Sequence, residues 1–290
     1  MIPAAFEYVA PTSLDEALSL LASYGDTAKV LAGGQSLFPL MKLRLVFPAY
    51  LIDLGRVPGL AFVEGNGAGQ QDGSIRIGAM TLYREIEDSE LVQRECALLA
   101  QTAALVADVQ VRNRGTIGGS LAHADPTGDM PAAAMALGAE MRVVGPRGER
   151  VIPAADFLTG FFSTDLSPDE LLTEIRVPRL AGWRSAYLKA APRASGFTIA
   201  GVAVCLRLGA DSTCEEIRIG VTGVTDKPFR AASVEAALRG RRLDERAIQE
   251  AAASVTDGLW VMDDLRASET YRAHIARLYT ARAILAAIGG

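Results

Sequence analysis

LAGGQSLFPLMKLR, running from Leu31 to Arg44, puts two glycines and then two polar residues directly after an apolar strand. Neither Gly33 nor Gly34 carries a Cβ, so the chain can turn sharply there or let a neighbour lie against its backbone. Upstream, Ser13 followed three residues later by Glu16 is a capping-box pattern. LDEALSLLASYG therefore reads as an amphipathic helix closed by Gly25, and AKVLA as the strand after it. Downstream, a turn or short helix through Pro39 leads to a buried strand at YLIDL. The result is a strand, helix, strand opening of about fifty residues.

Further along, SIRIGAMT alternates as a strand does, with Thr81 placed to cap a helix through Ile86. LVQRECALLAQTAALVA predicts one longer apolar helix to about Ala107. RNRGTIGGSLAHADPTGDMP is dense in Gly, Pro, Asp and Asn and reads as loop over much of its length. A compact helix, AAAMALGA, and a strand, EMRVVGP, follow it. Past EIRVPRLAGW the pattern changes: YLKAAPRASGFTIAGVAVCLRL and EEIRIGVTGV read as neighbouring strands of a meander, and only helices come after them. Strands first and helices afterwards predict an α+β unit, with a boundary between Val177 and Leu180. In the last helix Tyr271, Ile275, Leu278 and Tyr279 recur at helical spacing as an apolar face, with Ser268 as cap and Glu269 in the first turn. That helix reads as packing.

The 290 residues suggest two domains, at roughly 150 residues each. Half of them are hydrophobic, enough for a sizeable core. A net charge of −5, with no long run of Lys or Arg, argues against nucleic acid as a partner. Cys96, Cys205 and Cys214 are scattered and form no C-x-x-C pair, which fits buried free thiols in a reducing cytoplasm. Neither His123, a single loop histidine, nor His274, on the last helix, is assigned to metal binding. The N-terminus lacks the basic and apolar regions of a signal peptide, and no stretch is long and uncharged enough to span a bilayer. The expectation is a soluble cytoplasmic protein.

A turn alone would explain Gly33 and Gly34. A second pair, in TIGGS from Thr116 to Ser120, again follows an aliphatic residue and leads to a serine, so two similar loops could face one ligand. Successive N–H groups around such glycines form a concave nest for an anion, and diphosphate is the obvious one. Ser36, Thr116 and Ser120 would add hydroxyls and Gln35 an amide, meeting the charge without a lysine. Neither loop matches G-x-x-x-x-G-K-[ST] or G-x-G-x-x-G, which counts against a P-loop and an ordinary Rossmann site.

Three motifs together carry a resemblance: AGGQS at 32–36, RNRGTIGGSLAHADPTGDMPA at 112–132 and the terminal DLRASETYRAHIARLYTARAI. In order and over essentially the whole chain, the sequence resembles the FAD-binding medium subunit of molybdenum hydroxylases, a family that includes carbon monoxide dehydrogenase, xanthine dehydrogenase and bacterial dehydrogenases of N-heterocycles. The resemblance implies an α+β fold. A two-lobed FAD-binding domain at 1–177, with a small βαβ lobe to about residue 57 and a larger α+β lobe after it, would precede a C-terminal domain at 178–290 of antiparallel strands and a helix bundle.

It also implies a site. Ala32, Gly33, Gly34, Gln35, Ser36 and Leu37 would form one wall around the FAD diphosphate, and Thr116, Ile117, Gly118, Gly119 and Ser120 the other. Asp129, with Asp125 beside it, would meet ribityl or ribose hydroxyls, where the bland alternative for Asp129 is a helix cap. Lys189 would lie near the flavin ring, and Phe197 where some relatives place a tyrosine. Gly196 replaces an acidic neighbour and Gln35 a histidine of the carbon monoxide type. Molybdopterin and 2Fe-2S clusters would sit on a large and a small partner subunit, assembled as a dimer of heterotrimers, and no general acid or base is required of this chain. The competing readings are a stand-alone FAD-dependent oxidase or dehydrogenase, which activity without a partner would reveal, and a non-catalytic scaffold, which would be colourless.

Overall fold

The computed structural model describes residues 2–66, 73–192 and 196–289. The opening segment forms a three-stranded parallel sheet in the order Glu7–Val9, Tyr50–Asp53, Ala28–Leu31, one strand more than the sequence suggested. Its helix, Leu14–Tyr24, starts where Ser13 Oγ accepts the Glu16 amide at 3.1 Å and stops at Gly25 with φ of 50°. The capping box is shifted at its other half: the Glu16 carboxylate accepts the N–H of Thr12, not that of Ser13. Between the last two strands, Leu37–Lys42 makes a helix of six residues.

A five-stranded antiparallel sheet follows, in the order Val63–Asn66, Ser74–Gly78, Leu171–Pro178, Glu140–Gly145, Gly148–Pro153. Three expectations need correcting in this region. Thr81 does not cap a helix, because its hydroxyl is spent on the backbone N–H and C=O of Phe62; the helix Tyr83–Asp88 begins at Leu82, whose N–H is met by the Glu85 carboxylate. The single helix to Ala107 is two, Glu90–Glu95 and Ala97–Ala104, broken at Cys96, whose φ of −153° leaves the helical region. The 112–131 stretch is less loop than expected: Val109–Arg112, Ile117–His123 and Asp129–Leu137 are helices, the second capped by Thr116 Oγ1 accepting from Gly119 N–H at 3.1 Å.

The meander is a four-stranded antiparallel sheet in sequence order, Arg184–Ala190, Ala200–Leu208, Cys214–Thr222, Phe229–Arg230; residues 193–195 of the expected stretch lie outside the described residues. Helices Ala232–Leu238, Glu245–Ala252 and Glu269–Gly289 come after it. The buried face of the last helix is offset from expectation. Tyr271 is half exposed and Arg272 is buried with Ile275, Ala276 and Ile284, because hydrogen bonds satisfy the guanidinium. Helix Asp129–Leu137, with all nine residues buried, packs on strands Ala200–Leu208 and Cys214–Thr222. A Cβ at Gly220 would overlap the Ala132 carbonyl, so glycine there lets the alanine-rich helix lie directly on the sheet.

Candidate functional site

The two glycine loops meet. A side chain on Gly33 would run into the backbone of Arg114 and Gly115, and one on Gly119 would touch Ala32. Gly34 takes φ of +71°, favouring glycine, with the Phe38 ring against it. The N–H groups of Gly33, Gly34, Gln35, Ser36 and Leu37 donate to no acceptor among the described residues. Five successive unspent amides at the entry to a helix suit an anion with several oxygens. Gln35 Nε2 donates to the Gly33 carbonyl at 3.2 Å, bracing the turn from within.

The second loop spends its amides differently. Ile117 and Gly118 donate to the carbonyls of Thr81 and Ala79, Gly119 to Thr116 Oγ1 and Ser120 to the Thr116 carbonyl. A Cβ at Gly118 would overlap Ala79, which explains this glycine by close packing. Backbone donors to an anion thus come from the first loop, and the second offers the hydroxyls of Thr116 and Ser120. Asp125 accepts the N–H and Oγ1 of Thr127, both at 2.8 Å, and so shapes its own turn.

Asp129 is no cap. Its buried carboxylate accepts from Tyr187 Oη at 2.5 Å, Thr198 Oγ1 at 2.9 Å and Lys189 Nζ at 2.8 Å. Tyr187 and Lys189 stand two apart on one strand and therefore point to the same side. Burial, then the Asp129 charge, push the Tyr187 hydroxyl well above its ordinary value, so it stays a donor. Tyr83, which the sequence did not single out, stands between the two halves: burial pushes its hydroxyl up to about 12, against the influence of the nearby Ser120 side chain and helped by the Asp129 charge. Phe197 is 46% exposed, its ring covered on one face by the Arg266 guanidinium at 4.3 Å. His123 packs against Phe162, and burial lowers its pKa.

Residues 4–180 match the family model of the FAD binding domain in molybdopterin dehydrogenase, and residues 185–287 that of the CO dehydrogenase flavoprotein C-terminal domain. The carbon monoxide dehydrogenase medium chain of Hydrogenophaga pseudoflava is 40% identical over 99% of this chain and 98% of its own. The glyceraldehyde dehydrogenase medium chain of Sulfolobus acidocaldarius is 37% identical over 98% of each. Among solved structures, carbon monoxide dehydrogenase from H. pseudoflava superposes with a TM-score of 0.95 at 42% identity, over 100% of this chain and 99% of that one. Quinoline 2-oxidoreductase from Pseudomonas putida gives 0.92 at 35% identity, with the same coverage. Both halves of the chain are accounted for in one order, and the chain belongs to the family of FAD-binding medium subunits of molybdenum hydroxylases.

Proposed function

We propose that this chain is the flavin-carrying subunit of a molybdenum hydroxylase complex, taking electrons from an iron–sulfur partner subunit and passing them to an external acceptor. The observation that carries the reading is the row of unspent amides from Gly33 to Leu37, opposed by the second glycine loop. FAD, when bound, supplies the exchange between one-electron and two-electron transfer. The chain supplies position and charge. The amides of Gly33, Gly34, Gln35, Ser36 and Leu37 and the Ser36 hydroxyl would hold the diphosphate, with Ala32 as the floor of that wall. Thr116 and Ser120 would complete the other wall, on the first turn of the helix that Ile117, Gly118 and Gly119 open.

Asp129, with Asp125 on the adjoining turn, would receive ribityl or ribose hydroxyls. Lys189, held by Asp129, would present a fixed cation that favours electron acceptance by Coulomb attraction. Phe197 would offer an aromatic face without a hydroxyl. In this reading the chain divides into an FAD-binding part at 1–177 and a C-terminal part at 178–290. The large molybdopterin-binding and small 2Fe-2S partners assemble with it as a cytoplasmic dimer of heterotrimers. The test is depletion and restoration of FAD in the purified complex. Acceptor reduction is expected to fall with flavin content and return when FAD is added back; acceptor reduction independent of flavin content contradicts the reading.

A further inference from the structure

Arg272 is 1% exposed, yet it lies on a helix that the sequence assigns to packing. Its guanidinium donates to the carbonyls of Ile199 at 2.8 Å, Gly223 at 2.5 Å and Met262 at 3.2 Å, and to Asp264 Oδ1 at 2.8 Å. These partners lie on three separate segments; two lead toward the Asp129 cluster and the third toward Phe197. Ile199 follows Thr198, which donates to Asp129, and its own N–H is bonded to Ala190, the residue after Lys189. Gly223 donates to the Pro126 carbonyl, while the neighbouring Thr222 hydroxyl bridges Pro126 and Gly128, so this strand end fixes the turn that delivers Asp129. Asp264 accepts the N–H groups of Arg266 and Ala267 and thereby shapes the turn that lays Arg266 over Phe197.

Resting on the flavin reading above, we propose that Arg272 is a positioning residue for the ring end of the site. Its single buried guanidinium holds in mutual register the backbone that carries Lys189 and Thr198, the turn before Asp129 and the loop that covers Phe197. A planar group with five donors in fixed directions can bind three carbonyls and a carboxylate at once; a lysine ammonium cannot reproduce that fork. Among the described residues Arg272 makes no hydrogen bond to one assigned to the cofactor, so its influence reaches them through the position of the backbone it holds.

The test uses the assembled complex carrying Arg272→Met, Arg272→Lys or Asp264→Asn, with Val234→Ala in the neighbouring apolar core as a stability control. Three quantities are read: the melting temperature, the visible flavin spectrum and the dissociation constant for FAD. Arg272→Met is expected to weaken FAD binding about tenfold, the equivalent of one hydrogen bond to a charged group, and to displace the flavin absorption bands. Arg272→Lys should recover part of both, and Asp264→Asn should displace the bands in the same direction by less. Val234→Ala should lower the melting temperature alone. A folded Arg272→Met complex with unaltered affinity and spectrum overturns the proposal. If that variant does not fold, an unaltered spectrum and affinity in Asp264→Asn overturns it. A wild-type complex that binds no FAD overturns instead the flavin reading on which the proposal stands.

Discussion

The most consequential single group is Asp129, whose buried carboxylate faces the ammonium of Lys189 and two hydroxyl donors. Removing one partner of a buried ion pair strands the other charge, which typically costs about 3–5 kcal/mol. Asp129→Asn is therefore expected to lower unfolding free energy by about 3 kcal/mol in urea titrations, and Lys189→Met in the same chain to return part of it. Additive losses would mean the pair is not coupled. Gly33→Ala should cost about 1–3 kcal/mol by the same measurement, since its Cβ meets backbone that cannot swing aside. The sequence marked Asp129, Lys189 and both glycine pairs. It did not mark Tyr187, Thr198 or Tyr83, because a tyrosine or threonine has no distinctive neighbours along the chain until the fold brings a carboxylate near it.

Elements were legible where periodicity is long. The capped helix Leu14–Tyr24 and the antiparallel meander follow from their patterns. The helix Ile117–His123 was hidden because its stability lies in a cap and in close packing on Ala79, while its glycines argue for loop. Thr116→Ala should accordingly cost about 1 kcal/mol, read by the same urea titration. A second test concerns Glu170, which accepts Arg150 Nε at 3.0 Å and Nη2 at 2.8 Å and so ties strand Gly148–Pro153 to the start of Leu171–Pro178. The Arg150 hydrogen bonds, acting against burial and helped by the Ser167 amide, pull the Glu170 carboxyl from 4.5 down to about 2. A carboxyl depressed by folding stabilises the native state above its unfolded pKa, and that contribution is lost as pH falls from 4.5 to about 2. Glu170→Gln should be less stable at neutral pH and show a shallower loss of stability across that window.

Helix Asp129–Leu137 joins the five-stranded and four-stranded sheets in one apolar core, and Asp129 opens its first turn. The parallel sheet has its own smaller core. This arrangement was beyond a sequence reading because it depends on Gly220 admitting the Ala132 carbonyl, a contact across 88 positions of chain. Burial pushes the thiols of Cys96 and Cys205 up to about 12 and that of Cys214 up to about 11. None of the three should react with iodoacetamide at pH 8 in the folded chain, and all three should react in denaturant, as mass spectrometry would record. This chain carries the flavin. The most direct measurement is the visible spectrum of the purified complex, with heat release and identification of the yellow cofactor and its quantity per chain. One FAD per chain, absent from a complex whose medium chain carries Gly33→Val, is the expected result. A colourless chain that takes up no FAD, alone or with its partner subunits, would contradict it and leave the two glycine loops as turns packed against each other.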